Sequence, residues 1–259
     1  MSANQKLSDV SSLLLNTPEA FYWCGFLSAD GSISSNLKRL ALVLQERDIN
    51  HMRKFANYIK WKGNIRRHEI KGRGYLTVSA MDANMIPKLV IERHIFNRKT
   101  YNPPSDIPSK NADNRFAYSI GFIDGDGCIR KKSKSKRGSF LSVKCHSCWE
   151  NMLKIIGESL CGFNKVNVKI NNNGYARFHI TDNMLLRDIK LKAQSLKLPI
   201  MHRKWNKIDI SFISKRILAK ERILKTKEFL DKGINKTTIA HILDVYPSAI
   251  SQIIKRNGL

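Results

Sequence analysis

The sequence predicts an α+β protein made of two pseudo-symmetric αββαββα repeats, whose antiparallel sheets form a saddle, followed by a small all-α segment. Three observations predict this class. A nine-residue apolar pattern that ends in an acid and a glycine occurs twice in the 259 residues, and a similar order of helices and strands follows each copy. The last part of the chain carries helical patterns of another kind. The expected domains are residues 1–104, 105–213 and 214–259.

The repeated pattern predicts two closely packed helices. The copies lie at Phe21–Ser32 and Tyr118–Cys128, at an offset of 96 residues. Within each copy, two small residues fall four apart and therefore lie on one face of the helix. These pairs are Gly25 with Ala29 and Gly121 with Gly125. With so little side chain on that face, we expect the two helices to meet backbone to backbone.

Local signals place the other elements of the first repeat. Thr17 and Pro18 are typical of a helix start, with threonine as the N-cap and proline in the first turn. The pattern then predicts a strand, a helix that Asp48 caps, a hairpin, and a helix that Asp82 caps. The strands are expected at Leu40–Gln45, Asn64–Glu69 and Tyr75–Ser79, with the hairpin turn at Lys71–Gly74.

A linker and a second series of elements follow. Residues 101–114 contain three prolines and several small polar residues, which is typical of a linker. The elements predicted after it are a motif helix at Arg115–Asp124, a strand at Phe140–Lys144, a helix at Glu150–Leu160, strands at Val166–Ile170 and Tyr175–Ile180, and a helix at Asp182–Leu196. This repetition indicates a duplication.

The composition indicates a polyanionic partner. The chain holds 46 Lys and Arg against 21 Asp and Glu, a formal net charge of +25. So large an excess exceeds what solubility requires, and nucleic acid is the leading partner for it. The chain has no apolar run of about eighteen residues and no secretory or lipidation signal, so we expect no membrane attachment and an intracellular location.

Asp30 and Asp126 end the two motif helices and are the candidate metal ligands. If the helices pack on each other, the two carboxylates lie side by side. Mg²⁺, or Mn²⁺ in its place, binds oxygen ligands and keeps several waters, so two carboxylates suit a cation that acts on a phosphate. The backbone beside the acids, at Ala29 and Gly125, is expected to add ligands.

The two motif copies resemble those of the LAGLIDADG homing endonucleases, in the form that carries both copies in one chain. The resemblance covers about residues 18–210 and implies a monomer whose saddle lies in the major groove of double-stranded DNA. It implies metal-dependent hydrolysis of one phosphodiester on each strand of a long asymmetric target. Because the chain shows no intein splicing signature, an intron-borne or free-standing gene is expected.

The same resemblance suggests roles for further residues. Lys99 and Lys204 follow an arginine at equivalent places in the two repeats and are expected near the scissile phosphate. Gln45, Arg47 and Asp48 lie where the family carries water-organising polar residues, and Gln45 is a further candidate for catalysis. The second repeat offers Cys145, Ser147 and Cys148 at those places.

Two other features are expected to be structural. The first acid of the second motif, Asp124, is replaced by Ser28 in the first motif, which favours a hydrogen-bonding role over catalysis. The stretch Cys145–Cys148 lacks the second ligand pair that a structural zinc site requires, so ordinary cysteines are the favoured interpretation. Five cysteines without disulfide-like spacing also agree with a reducing compartment.

Basic residues of the two sheets are the expected DNA contacts, because a basic hairpin on an exposed sheet suits phosphate groups. They are Arg66, Arg73, Lys131, Lys132, Lys134, Lys136, Arg137, Lys144 and Lys169.

The C-terminal segment resembles the helix-turn-helix of bacterial and phage DNA-binding proteins. After a basic helix at Ser214–Lys227, Thr237 or Thr238 is expected to start one helix, and Pro247 to open the recognition helix. The residues expected to face DNA are Ser248, Ser251, Gln252 and Lys255. A helical packing module without DNA contacts is the alternative.

Two rival functions remain open from the sequence. A group I intron RNA-splicing maturase would share the fold and bind intron RNA. A non-catalytic DNA-binding regulator would depend on the helix-turn-helix, although it leaves the duplicated acids without a role.

Overall fold

The computed structural model describes residues 8–131, 138–161, 167–210 and 215–259. The chain divides into two compact units, Met1–Ile210 and Ser211–Leu259. The first unit contains both motif copies and all strands of the described chain, and the second is helical.

The two motif helices form the centre of the first unit. Helix α1 spans Pro18–Asp30 and α4 spans Ala112–Asp126. The predicted cap of α1 is present, since the Thr17 side chain accepts a hydrogen bond from the Ala20 amide. Helix α4 begins three residues before its predicted start because Asn111 caps it instead. Ten residues of each helix are buried, as the apolar motif requires.

Each repeat contains a four-stranded antiparallel sheet, which confirms the predicted αββαββα order. The sheet orders are β1-β2-β4-β3 and β5-β6-β8-β7. The first sheet has β1 at Gly31–Ile33, β2 at Arg39–Gln45, β3 at Arg66–Ile70 and β4 at Arg73–Met81. The second has β5 at Gly127–Lys131, β6 at Ser139–His146, β7 at Lys169–Ile170 and β8 at Tyr175–Ile180.

The first hairpin is tighter than predicted. Strand β4 begins at Arg73, so the turn consists of Lys71 and Gly72 alone. Both residues have positive φ, at 50° and 73°, which is the conformation of a two-residue type I′ hairpin turn. Arg73 therefore belongs to the sheet and not to the turn.

Helices cover one face of each sheet. In the first repeat these are α2 at Ile49–Tyr58 and α3 at Met85–Arg93. In the second they are α5 at Glu150–Cys161, α6 at Asn183–Ser195 and the short α7 at His202–Trp205. Strand β2 shows the result, with Leu40, Leu42 and Leu44 buried towards the helices. Arg39, Val43 and Gln45 point to the other face, which carries no helix.

The second unit consists of three helices, α8 at Lys215–Asp231, α9 at Lys236–Ile242 and α10 at Pro247–Asn257. Ile239, Ala240 and Ile250 form its buried centre. Helix α8 continues past its predicted end. The predicted start of α9 at a threonine is wrong: the Asn235 side chain caps it by accepting from the Thr238 amide. No helix in the described part of the chain is long and apolar enough to cross a membrane.

Candidate functional site

The motif helices α1 and α4 touch through their backbones, as the small-residue spacing predicted. A Cβ atom built on Gly25 would collide with the carbonyl oxygen of Tyr118, and one built on Gly121 would collide with that of Tyr22. The contacts are reciprocal because the two helices are equivalent elements of the two repeats. One turn further on, a Cβ on Gly125 would collide with the methyl group of Ala29. The helices therefore remain in contact up to their acidic ends.

This contact brings Asp30 and Asp126 together. A Cβ on Gly125, the neighbour of Asp126, would lie 3.5 Å from the carboxyl carbon of Asp30. Both side chains reach solvent, but protein atoms displace much of the water around them. This loss of hydration, and then the charge of Asp126, raises the pKa of Asp30 to about 6. Loss of hydration also raises the pKa of Asp126, while the nearby lysines oppose the shift.

Lys99 and Lys204 hold the ends of these helices. The Nζ atom of Lys99 donates to the carbonyl oxygens of Leu27, at 2.9 Å, and Gly31. The Nζ atom of Lys204 shares its donors among the carbonyl oxygens of Ile123, Asp124, Gly125 and Gly127. Each ammonium group thus satisfies carbonyls that end a helix and faces the negative end of its dipole.

The lysine ammonium groups are largely shielded from water. Lys204 is 7% exposed. Loss of hydration lowers the pKa of Lys99 to about 8, although Asp126 and Asp30 favour its charged form. Loss of hydration also lowers the pKa of Lys204. Two positive charges therefore lie within electrostatic range of the two carboxylates. The sequence did not predict that Lys99 and Lys204 also cap the motif helices.

A cavity of about 370 Å³ lies beside one end of the motif pair. It joins four of the predicted site residues, namely Asp30, Gln45, Gly125 and Lys204. Arg47, Tyr75 and Arg203 also line it. The cavity therefore places a polar side chain from β2, an acid from α1 and basic groups from both repeats around one space. The backbone carbonyl of Gly125 accepts from Lys204 at 2.9 Å and keeps one lone pair for another partner.

The residue that matches Gln45 in the second repeat is His146. Gln45 is paired with Tyr75 across β2 and β4, and His146 is paired with Tyr175 across β6 and β8. Comparison of the two repeats by sequence had instead offered Cys145, Ser147 and Cys148 for Gln45, Arg47 and Asp48. That comparison was wrong because five more residues separate β6 from the second motif: Gly31 pairs with Leu42, but Gly127 pairs with Val143. A fixed offset therefore cannot align the strands.

Asp124 has the structural role that the sequence predicted. It is fully buried and accepts hydrogen bonds from the Tyr22 hydroxyl at 2.7 Å, the Met201 amide at 2.8 Å and the Trp205 indole at 2.7 Å. Burial raises its pKa, and these donors and Lys204 oppose that rise. Asp124 thus ties both motif helices to the segment that carries Lys204.

Asp48 does not cap α2 as predicted. The helix begins after it, but its carboxylate instead binds the guanidinium of Arg203 at 2.7 and 2.9 Å. In the other half, the matching contact comes from Trp149, whose indole donates to the carbonyl oxygens of Lys99 and Thr100. The two lysine-bearing turns are therefore held by an ion pair in one half and by an indole in the other.

The uncovered faces of both sheets are basic. Strand register places four of the predicted DNA contacts there, namely Arg66, Arg73, Lys144 and Lys169. Lys131 lies exposed at the end of β5, on the register of the opposite face. Lys132, Lys134, Lys136 and Arg137 lie outside the described residues. Arg130, at the start of the predicted basic hairpin, also lies on an uncovered face. Arg39 and Arg177 share the uncovered faces and were missed, although the alternation of side chains along their strands would have found them.

Helix α10 has one exposed face. Ser248, Ser251, Gln252 and Lys255, the predicted contacts, are all exposed on it. On the other side Ile250 is buried, and Ile253 and Ile254 are partly buried in the core of the second unit.

Closely packed acid-ended helices and two four-stranded antiparallel sheets make up the α+β fold of the first unit. The chain is similar in fold to the LAGLIDADG homing endonuclease I-GzeII in complex with its DNA target, with a TM-score of 0.47 at 16% identity over 83% of this chain and 92% of that one. It is also similar to I-SmaMI bound to uncleaved DNA in the presence of calcium ions, with a TM-score of 0.46 at 12% identity over 94% of this chain and 98% of that one. Full-length DUF199/WhiA from Thermatoga maritima has a TM-score of 0.45 at 14% identity over 97% of this chain and 96% of its own. No protein-family model and no curated protein matches the chain significantly.

Proposed function

We propose that the protein is a site-specific DNA endonuclease that hydrolyses phosphodiester bonds of double-stranded DNA with a divalent metal. The observation that carries this proposal is the meeting of Asp30 and Asp126 at the ends of two helices in backbone contact, with Lys99 and Lys204 beside them. Two acids and two ammonium groups at one point, between two basic sheet faces, suit the charge changes of phosphate ester hydrolysis.

The donor set fits Mg²⁺ or Mn²⁺. Asp30 and Asp126 supply carboxylate oxygens. The Gly125 carbonyl oxygen accepts one hydrogen bond from Lys204 and keeps a second lone pair for the cation. Among the described residues, no group of three or more His, Cys, Asp or Glu side chains is arranged to hold a metal. An oxygen-ligand cation that keeps several waters suits two carboxylates, whereas a closed zinc cage does not. Bound there, the cation supplies charge neutralisation at the phosphate and a lower pKa for the attacking water.

The remaining residues of the site have distinct tasks in this proposal. Gln45 in the cavity beside Asp30 hydrogen-bonds and orients a water, and His146 stands at the equivalent place in the other half. Lys99 and Lys204 fix the helix ends that carry the acids and provide positive charge close to the phosphate. Asp124 positions the Lys204 segment without taking part in proton transfer, because it is buried and fully engaged.

The partner in this proposal is a long asymmetric DNA duplex. The uncovered sheet faces of the domains at residues 1–104 and 105–213 contact the target, and the exposed face of α10 in the domain at 214–259 adds a helix-turn-helix contact. Because both motif copies lie in one chain, the active form is a monomer that homes to an intron insertion site or acts from a free-standing gene.

Selection of cleaved sequences from a randomised duplex pool in Mg²⁺ tests the proposal. We expect specific cut products from the parent chain. Asp126→Asn should abolish them while mobility-shift binding is retained, because the amide cannot replace the carboxylate as a ligand for the cation.

The same experiment separates the rival functions. Binding to DNA without any cutting by the parent chain would support a DNA-binding regulator. Rescue of intron splicing without DNA cutting would support a maturase.

A further inference from the structure

The uncovered faces of the two sheets differ sharply at equivalent positions near their centres. Leu42 pairs with Gly31 of the first motif and Val143 pairs with Gly127 of the second, so these two residues are equivalent. The residues that follow them, Val43 and Lys144, therefore correspond to each other. Their cross-strand partners are Thr77 and Arg177. The first sheet thus presents a valine beside a threonine where the second sheet presents a lysine beside an arginine.

In the second sheet the basic pair extends into a row. Lys144 on β6 lies opposite Arg177 on β8, and Arg177 lies opposite Lys169 on β7. All three side chains are exposed, and in the described part of the chain none is within ion-pair distance of a carboxylate. Like charges directly opposite each other in a sheet destabilise it. The row is therefore suited to a ligand with many acceptor atoms.

The donors of this row are partly held in place. The Lys144 ammonium lies over the Tyr175 ring, 3.9 Å from its centroid, and the Arg177 Nε atom donates to the Ser142 hydroxyl at 3.3 Å. These contacts leave the terminal nitrogens of Arg177 and most N–H groups of Lys144 for a ligand. Their orientation is thus restricted before any ligand binds, which reduces the entropy lost on binding.

The matching place in the first sheet is apolar and close to the acids. Val43 is 38% exposed and lines the same cavity as Asp30. Its cross-strand partner, Thr77, carries a methyl group, and its hydroxyl lies 3.5 Å from the Nδ1 atom of His68. Ala41, one place along the same face, is buried, and Arg66 on β3 lies opposite Thr77. Val43 and Thr77 thus present methyl groups at the two positions where the second sheet presents Lys144 and Arg177.

The major groove distinguishes such surfaces. Guanine presents two acceptors, O6 and N7, which arginine and lysine bind, whereas thymine presents a methyl group that apolar side chains contact. We propose that the two halves of the DNA target differ accordingly near the cleavage position: a thymine-containing base pair lies under Val43 and Thr77, and a guanine-containing pair lies under Lys144 and Arg177. This inference rests on the proposed function and adds the base preference of each half.

A binding selection with reciprocal exchanges tests it. The full-length parent, Val43→Lys/Thr77→Arg, Lys144→Val/Arg177→Thr and the fourfold exchange are each used to retain duplexes from a randomised pool in EDTA, so that no cleavage is needed. We expect the parent to enrich guanine at one central position and thymine at the opposite one. Each exchange should change only its own half, by about fivefold to a hundredfold in base preference, and the fourfold exchange should reverse the order of the two halves.

The outcomes separate this inference from the function on which it rests. Failure of the parent to retain any duplex would overturn both. Retention with base preferences that the exchanges do not alter, together with a weaker salt dependence for Lys144→Val/Arg177→Thr, would mean that the row binds phosphates and would overturn the inference alone.

Two further variants guard against misfolding. Lys144→Gln and Arg177→Gln keep length and polarity at exposed positions, and circular dichroism checks that they remain folded. Each should lose guanine enrichment in its half. Unchanged enrichment in both folded variants would also overturn the inference.

Discussion

Substitutions that move a methyl group from one motif helix to the other test the contact between the two helices directly. In the structure, a Cβ on Gly125 would collide with the Cβ of Ala29 on the partner helix. Gly125→Ala should therefore destabilise the protein through overpacking by roughly 1–3 kcal/mol, reduced by up to about 1 kcal/mol from the better helix propensity of alanine. We expect a net loss of about 1–2 kcal/mol.

The double variant Ala29→Gly/Gly125→Ala should recover much of this loss, because it moves the methyl group across the contact and leaves the total volume unchanged. Ala29→Gly alone should cost about 1 kcal/mol through helix propensity. Because the helix-propensity effects of the two substitutions cancel, the coupling free energy of the cycle should equal the overpacking cost, about 1–3 kcal/mol in favour of the double variant.

Urea unfolding followed by tryptophan fluorescence measures this cycle cleanly. All four tryptophans, Trp23, Trp61, Trp149 and Trp205, lie in the first unit, so the signal reports on that unit alone. The matched controls are Gly25→Ala and Gly121→Ala, whose added methyl groups would meet backbone carbonyls and so have no rescuing partner substitution. Additive effects in the cycle, with a coupling near zero, would refute the contact and the pairing of the acids that depends on it.

Three other predictions concern the residues around the site. Lys204→Met should lower the free energy of unfolding of the first unit by about 2–4 kcal/mol, and Lys99→Met should lower it by about half as much. The reason is that Lys204 donates to four backbone carbonyls and Lys99 to two. Equal losses in thermal unfolding would contradict this. Burial, and then nearby positive charges, lowers the pKa of His51 to about 3, whereas the pKa in the unfolded chain is about 6.5. Between pH 6.5 and pH 3, His51 therefore binds a proton in the unfolded chain but not in the folded protein. Stability should therefore fall with decreasing pH in that window, by up to about 1.4 kcal/mol per pH unit, and urea midpoints of His51→Gln should depend less on pH than those of the parent. Arg203→Ala should cost about 1–2 kcal/mol, because the 8% exposed Asp48 then keeps only Arg47, at 4.0 Å, while solvent already screens the 37% exposed guanidinium of Arg203 in part. An Asp48→Asn background that does not reduce this loss would count against the pair.

The two halves of the site are similar in backbone and different in chemistry. His146 takes the position that Gln45 has in the first repeat, and the ion pair of Asp48 is replaced by the indole of Trp149. Such differences are expected when two similar units lie in one chain, since each unit can then change separately.

Much of the fold could be predicted because it depends on local patterns. The motif helices, their small-residue faces and the Thr17 cap follow from spacing and capping chemistry within a few residues. The structural role of Asp124 was also predictable, because the replacement by Ser28 in the other copy argued against catalysis.

Contacts between residues far apart in the chain could not be predicted. The sequence was enough to predict that two acid-ended helices would pack and that the strong positive charge indicates a polyanionic partner. It did not determine that Lys99 and Lys204 cap those helices, or that Asp48 turns to Arg203, because these partners lie some 70 to 155 residues away. Nor did it pair Gln45 with His146, because that match depends on hydrogen-bonded strand register, which a longer loop between the motif and its strand conceals.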